Sequence, residues 1–256
     1  MNASIEVVET KLFSGAIADE ISSCLAEAIA ERGVASIALA GGGTPGATYR
    51  LLALPPRVGE IEWSKVRLFW GDERWVTRED TQSNYRLVRE TLLDSMPAPG
   101  PQVYPVTTTG ISPEAAAADY AKIMREVLGT PPDQVPVLDI ALLGVGIDGD
   151  TASIFPGSAL LKNTSDVCSV VRMPDGTPRI TLTPSVLLAA RRIILMVRGP
   201  GKADIVKQVL EGGLPSEIIP ARFLDQAGDR VTWFLDSAAA RKLSSERLLG
   251  QGGVPR

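Results

Sequence analysis

A chain of 256 residues, 45% of them hydrophobic, can bury one α/β core or two small ones. Its formal charge of −4 argues against nucleic acid or an anionic membrane as the main partner, since both select basic surfaces. It contains no histidine, which excludes Ser-His-Asp triads, Cys-His pairs and histidine-ligated zinc, so proton transfer near neutral pH falls to carboxylates, Lys, Tyr, Cys or water.

The opening stretch MNASIEVVETKLFSG lacks the basic start and apolar centre of a signal peptide, and no apolar run reaches the ~20 residues of a membrane helix. A soluble cytoplasmic protein is expected. SIEVVE reads as a strand. SGAIADEISSCLAEAIAERG reads as an amphipathic helix, with Ser14 as its expected N-cap and Gly33 as its stop. Cys24 within it and Cys168 far downstream are too few and too scattered for a disulfide framework or a zinc site. ASIALA is a short buried strand, and GGGTPGATYRLLA is a loop opening a helix. Thr44 is the expected cap and Pro45 stands in the first turn.

KVRLFWGDER reads as a strand running into a polar turn. SNYRLVRETLLDSM is a helix capped by Ser83, and SPEAAAADYAKIMREVLG a helix capped by Ser112 with Pro113 behind it. VLDIALLGVG, RITLT, RRIILMVRG and VTWFLD are further strands. Helices are expected at PSVLLAA, GKADIVKQVLEGG and SAAARKLSSERLL, the last as one final helix. Proline-rich patches at 97–101 and 131–136 mark loops. This alternation predicts an α/β fold: a three-layer, doubly wound, mostly parallel, Rossmann-like sheet with helices on both faces. One domain spanning 1–256 is expected, with a small lobe around 156–179.

In open α/β sheets, ligands bind beyond the carboxyl ends of the strands. Three motifs fall there: GGGTPG after SIALA, GDER after VRLFW, and GVGIDGDTAS after LDIALL. The glycines of the first let backbone amides approach a ligand at a helix start, which is an anion site; the alternative is a tight turn without ligand. In WGDERW, Arg74 can clamp phosphate or carboxylate, or else make a local ion pair on a surface turn. Lys202 opens a helix, where a cation opposes the helix dipole unless an anion sits beside it; a solvated lysine is the alternative. Arg179 opens a strand and either faces the same pocket or is solvated. Asp148 and Asp150 sit in a glycine-rich turn and are close enough to raise each other's pKa. They also read as caps of a helix beginning near Thr151. Trp63, Trp70, Trp75 and Trp233 are expected as core or pocket walls, because no basic stripe accompanies them.

Taken together, LAGGGTPGATYRLL, VRLFWGDERWVTREDTQSNYRLVRETLL, LDIALLGVGIDGDTASIFPGS, RITLTPSVLLAARRI, GKADIVKQVL and VTWFLD resemble the 6-phosphogluconolactonase family, within the group that includes glucosamine-6-phosphate deaminase. The resemblance covers nearly the whole chain. It implies a cofactor-free, metal-free cytoplasmic hydrolase that opens 6-phosphoglucono-δ-lactone to 6-phosphogluconate in the oxidative pentose phosphate pathway. It further implies phosphate and sugar contacts from Gly42, Gly43 and Thr44, with positive charge from Arg74 and Lys202; Arg179 is a further candidate substrate contact, and Asp150, Asp148 and Asp72 are the candidate catalytic carboxylates. The family pattern after the glycine turn is Asp-Gly-His-Thr-Ala-Ser, and its histidine is taken to activate the attacking water. Here Asp150 holds that position. The small-molecule phosphosugar lactone is the expected partner, with no nucleic acid or membrane, and the protein is expected as a monomer or homodimer. Two other readings are a catalytically weak sugar-phosphate-binding relative and a glucosamine-6-phosphate deaminase or isomerase. The blocks DERWVTREDTQSNY and TASIFPG favour the lactonase over the deaminase.

Overall fold

The computed structural model describes residues 3–163 and 165–249. Strand β1 (Ser4–Val8) leads into helix α1 (Phe13–Arg32), which ends at Gly33 in the left-handed conformation, φ 77°. Ser14 is not its cap. The turn closed by Leu12 N–H on Glu9 O is already helical, so the helix starts one residue before the serine. Strand β2 (Ala35–Leu39) is buried throughout and is followed by α2 (Pro45–Leu52) and α3 (Arg57–Glu60). Thr44 has helical φ and ψ and makes no capping hydrogen bond through its side chain, contrary to the expectation.

Strand β3 (Val66–Trp70) continues through Gly71 into β4 (Asp72–Arg74), and α4 (Asn84–Thr91) follows. Strand β5 (Gln102–Val103), α5 (Pro113–Leu128) and β6 (Ile140–Leu143) complete the first half. The side chains of Ser83 and Ser112 accept from Arg86 N and Ala115 N, so both predicted caps form. Then come β7 (Cys168–Arg172), β8 (Pro178–Leu182), α6 (Pro184–Ala189), β9 (Arg192–Val197), α7 (Ala203–Glu211), β10 (Val231–Asp236), α8 (Ser237–Ala240) and α9 (Ser245–Leu249). The single final helix expected is thus two. Asp236 caps the first by accepting from Ala239 N, and Ser244 Oγ, accepting from Arg247 N, restarts the second.

Among the described residues, seven strands form one sheet in the order β1-β10-β9-β6-β2-β3-β5, and all six pairings are parallel. From β1 to β2 and β3 the chain moves one way across the sheet; from β6 to β9 and β10 it moves back. Right-handed crossovers in opposite directions put the connecting helices on opposite faces, the three-layer doubly wound arrangement. Accordingly α1 packs on α2 and α2 on α4, whereas α7 packs on α8. The reversal falls between β2 and β6. The core lies in the sheet and under these helices. Trp63, Trp70 and Trp233 are buried in it and Trp75 is partly buried against it, as expected.

A second, antiparallel sheet has the order β4-β8-β7. It changes two expectations. GDER is a strand rather than a turn, and RITLT leaves the parallel sheet to pair with it. Gly71 joins the two sheets: its N–H donates to Leu39 O of β2, and its carbonyl accepts from Leu182 N of β8. A polar strand of three residues forms here because its ladder partner, β8, comes from far along the chain.

Candidate active site

A cleft of about 320 Å³ lies beyond the carboxyl ends of β2, β3, β6 and β9, across the β2/β6 reversal. Each of the four strands sends its following loop into it. Gly42, Gly43, Thr44, Asp72, Arg74, Asp150, Arg179 and Lys202 all line this one cavity. Asp148 does not line it and stands behind Asp150. The cleft also takes Ser153 and Arg198, which sequence reasoning did not single out.

On the β2 side, Gly42 at φ 89° turns the chain from strand to helix so that α2 begins at the cleft. Gly41 is held to glycine by packing: a Cβ there would fall 1.8 Å from Asn84 Oδ1. Asn84 is 1% exposed and donates through Nδ2 to the carbonyl of Asp72 at 2.9 Å and to its Oδ1 at 3.2 Å. Glu73, 2% exposed, points the other way along β4. It accepts from the amides of Arg74, Asn84 and Tyr85 at 2.8 Å each, and from Ser83 Oγ at 3.3 Å. Burial pushes its carboxyl up from the ordinary value and these three amides pull it back. Glu73 therefore clamps the start of α4 to β4 and fixes Asn84 against Asp72.

Arg74 and Arg179 are register partners across β4 and β8, so both guanidinium stems leave the same face of the small sheet. Arg74 Nη1 donates to Gln82 O. Arg179 Nη1 donates to Ser153 Oγ at 3.3 Å, and its Cζ lies 5.6 Å from the Phe155 ring centroid.

On the β6 side, no helix begins at Thr151, so the capping role expected for Asp148 and Asp150 is absent. Thr151 and Ile154 instead form an isolated antiparallel bridge around a turn with Ala152 and Ser153 at φ 46° and 58°. Both aspartates fold over Gly146, where a Cβ would come within 1.4 Å of Asp150 Oδ1 and 2.9 Å of Asp148 Oδ1. Their pKa values move apart instead of both rising. Burial, then the hydrogen bond to Asp148 and its charge, raise Asp150 to about 7, against the pull of Lys202 and Arg179. The hydrogen bond from Asp150 lowers Asp148, helped by Lys202. The two carboxyls titrate together, the proton favouring Asp150 and Asp148 drawn toward its ionised form. Among the described residues, no group of three or more His, Cys, Asp and Glu side chains is placed to hold a metal ion. No helix among them is long and apolar enough to cross a membrane.

Fold and site together define a doubly wound α/β protein with a cation-lined cleft at its switch point and a titrating carboxyl on the cleft wall. The chain belongs to the family of glucosamine-6-phosphate isomerases and 6-phosphogluconolactonase, whose model matches residues 9–233. A 6-phosphogluconolactonase of Mycobacterium tuberculosis is 36% identical over 252 residues, covering 96% of this chain and 100% of that one. One from Rattus norvegicus is 36% identical over 231 residues, 89% and 87% of the two chains. The solved structure of 6-phosphogluconolactonase from Trypanosoma cruzi superimposes with a TM-score of 0.82 at 31% identity, over 94% of this chain and 97% of that one.

Proposed function

We propose that this protein hydrolyses 6-phosphoglucono-δ-lactone to 6-phosphogluconate, the lactone-opening step of the oxidative pentose phosphate pathway, in the cytoplasm. The observation that carries the reading is the single cleft in which Asp150 faces Arg74, Arg179 and Lys202. Family membership and full-length relatives that bear the lactonase name support it.

Ester hydrolysis of a phosphorylated ring asks for a held phosphate, a deprotonated water and a stabilised carbonyl oxygen. The Gly42-Gly43-Thr44 turn at the start of α2, with Arg74 and Lys202, supplies amides and charge for the phosphate and sugar hydroxyls. The ionised form of Asp150 takes a proton from water as the water oxygen attacks the carbonyl carbon. Arg179 offsets the negative charge that forms on the carbonyl oxygen. When the intermediate collapses, the bond from the carbonyl carbon to the ring oxygen breaks, and Asp150 returns the proton to that oxygen, now a hydroxyl. Burial, then the hydrogen bond to Asp148 and its charge, hold Asp150 near the strength of an imidazole base. Asp72 orients its neighbours through Ser153 and Asn84.

The test is a lactonase assay on wild type, Asp150→His and Asp150→Ala, with spontaneous ring opening subtracted. Alanine is expected to remove the enzymatic excess and histidine to keep or raise it. Equal rates in all three would take Asp150 out of the mechanism. A wild-type rate no faster than buffer would end the lactonase reading. Ammonia release from glucosamine 6-phosphate would point to the deaminase instead.

A further inference from the structure

One hydrogen-bonded line runs from the start of α4 through β4 and the Ser153 turn to β8, along the wall of the cleft. Asn84 Nδ2 donates to Asp72 Oδ1 at 3.2 Å, and Ser153 Oγ donates to Asp72 Oδ2 at 2.6 Å. Arg179 Nη1 in turn donates to Ser153 Oγ at 3.3 Å. Both oxygens of Asp72 are therefore engaged, and the Ser153 hydroxyl stands between a carboxylate and a guanidinium. Ser153 is 3% exposed. It sits at φ 58° directly after Ala152 at φ 46°, two consecutive L residues in a region that L side chains avoid. Surrounding bonds hold this turn in place: Thr181 Oγ1 donates to Ala152 O, Thr151 Oγ1 to Gly144 O, and Ile154 N to Thr151 O. The fold thus keeps an unfavourable backbone in order to present one small hydroxyl.

We infer that Ser153 is a positioning residue whose hydroxyl, anchored on Asp72, aims the Arg179 guanidinium at the reacting end of the cleft. The inference rests on the lactonase reading and adds to it how the cation opposite the base is directed. Arg179 belongs at that end because it lines one cleft with Asp150 and Ser153, and its charge acts on the Asp150 carboxyl. A carboxylate gripping Arg179 directly in two-toothed fashion would occupy the N–H groups that the carbonyl oxygen needs. A hydroxyl between them takes a single N–H, fixes the direction and leaves the rest of the guanidinium for the substrate. The Phe155 ring bounds the other side.

Two variants of the full chain test this, Ser153→Ala and Ser153→Gly, assayed on 6-phosphoglucono-δ-lactone with spontaneous opening subtracted. Both lose the hydroxyl, but only glycine relieves the positive φ, so the glycine variant should melt at a higher temperature than the alanine variant. If the hydroxyl aims Arg179, kcat falls ~10- to 100-fold in both despite their different stabilities, while KM stays within about threefold. The acidic limb of the pH–rate profile also moves to higher pH, because a guanidinium no longer held near Asp150 lowers its pKa less. A glycine variant with wild-type kcat, a loss confined to KM, or an unmoved limb would each overturn the inference while leaving an active, Asp150-dependent lactonase standing. Wild type that does not outpace buffer would remove the lactonase reading, and this inference with it.

Discussion

Arg74 and Arg179 lie directly opposite one another across the antiparallel β4–β8 pair. Like charges facing across a ladder oppose pairing, and an anion bound between them removes that repulsion. The product 6-phosphogluconate should therefore raise the melting temperature, by up to about 2.7 kcal/mol of stability at a hundredfold excess over its Kd. Arg74→Gln and Arg179→Gln should each leave the unliganded melting temperature equal or higher and shrink the increment given by the product. Thermal shift with and without product reads both quantities. A full increment in both variants would place the anion elsewhere.

Turnover should depend on pH through the Asp148–Asp150 pair. Asp150 acts as a base only when ionised, so kcat/KM should fall about tenfold per unit as pH drops below about 7. Asp148→Asn removes the neighbouring charge and shifts the limb to lower pH. Stability has the opposite sign. Asp150 has a higher pKa folded than unfolded, so the protonated form favours the fold. That contribution is full at pH below about 4 and is lost as pH rises through about 7. Asp150→Asn should accordingly be more stable than wild type at pH 8, on the order of 1 kcal/mol after allowance for solvent screening. Urea titrations at pH 5 and pH 8 give the comparison, and an equal difference at both would contradict the shift.

Gly146 carries the weight of both carboxyls. Gly146→Ala drives a methyl onto Asp150 Oδ1 and should reduce kcat ~100-fold or more by displacing the base. Gly59→Ala, in α3 and outside the cleft, is the control, because nothing lies within 4 Å of a Cβ there. Similar kcat losses in the two variants would mean that the dyad geometry is not what Gly146 protects.

Glu73 makes a stability prediction without touching the chemistry. Glu73→Ala frees the buried amides of Asn84 and Tyr85 and should cost about 2–4 kcal/mol in chemical denaturation. A loss under about 0.5 kcal/mol would show that the α4 start does not depend on it.

Much of this arrangement was legible because local chemistry decided it. Ser83, Ser112 and Gly33 act through bonds within a few residues, and the glycine loops after three apolar runs mark strand ends wherever the strands go. The small sheet was not legible. Asp72-Glu73-Arg74 reads as a turn by composition, and only Arg179, Ile180 and Thr181, more than a hundred residues on, make it a strand. Ser153 was missed because a positive φ at a serine leaves no mark in composition. The two aspartates were legible as a pair, but the direction in which each titrates depends on burial and on Lys202 and Arg179, which arrive from other strands. Asn84 left a trace only in hindsight, as the first residue after a capping serine.

The outermost strand has a consequence for how the molecule is made. Ser4–Val8 bonds to a single neighbour in the sheet, Val231–Asp236. During vectorial synthesis β1 must wait for β10, made long after it, before it can dock, whereas Ala35–Leu39 and Val66–Trp70 can pair early. A nascent chain stalled near residue 200 should therefore leave Ser4–Val8 open to protease, and synthesis through β10 should close it.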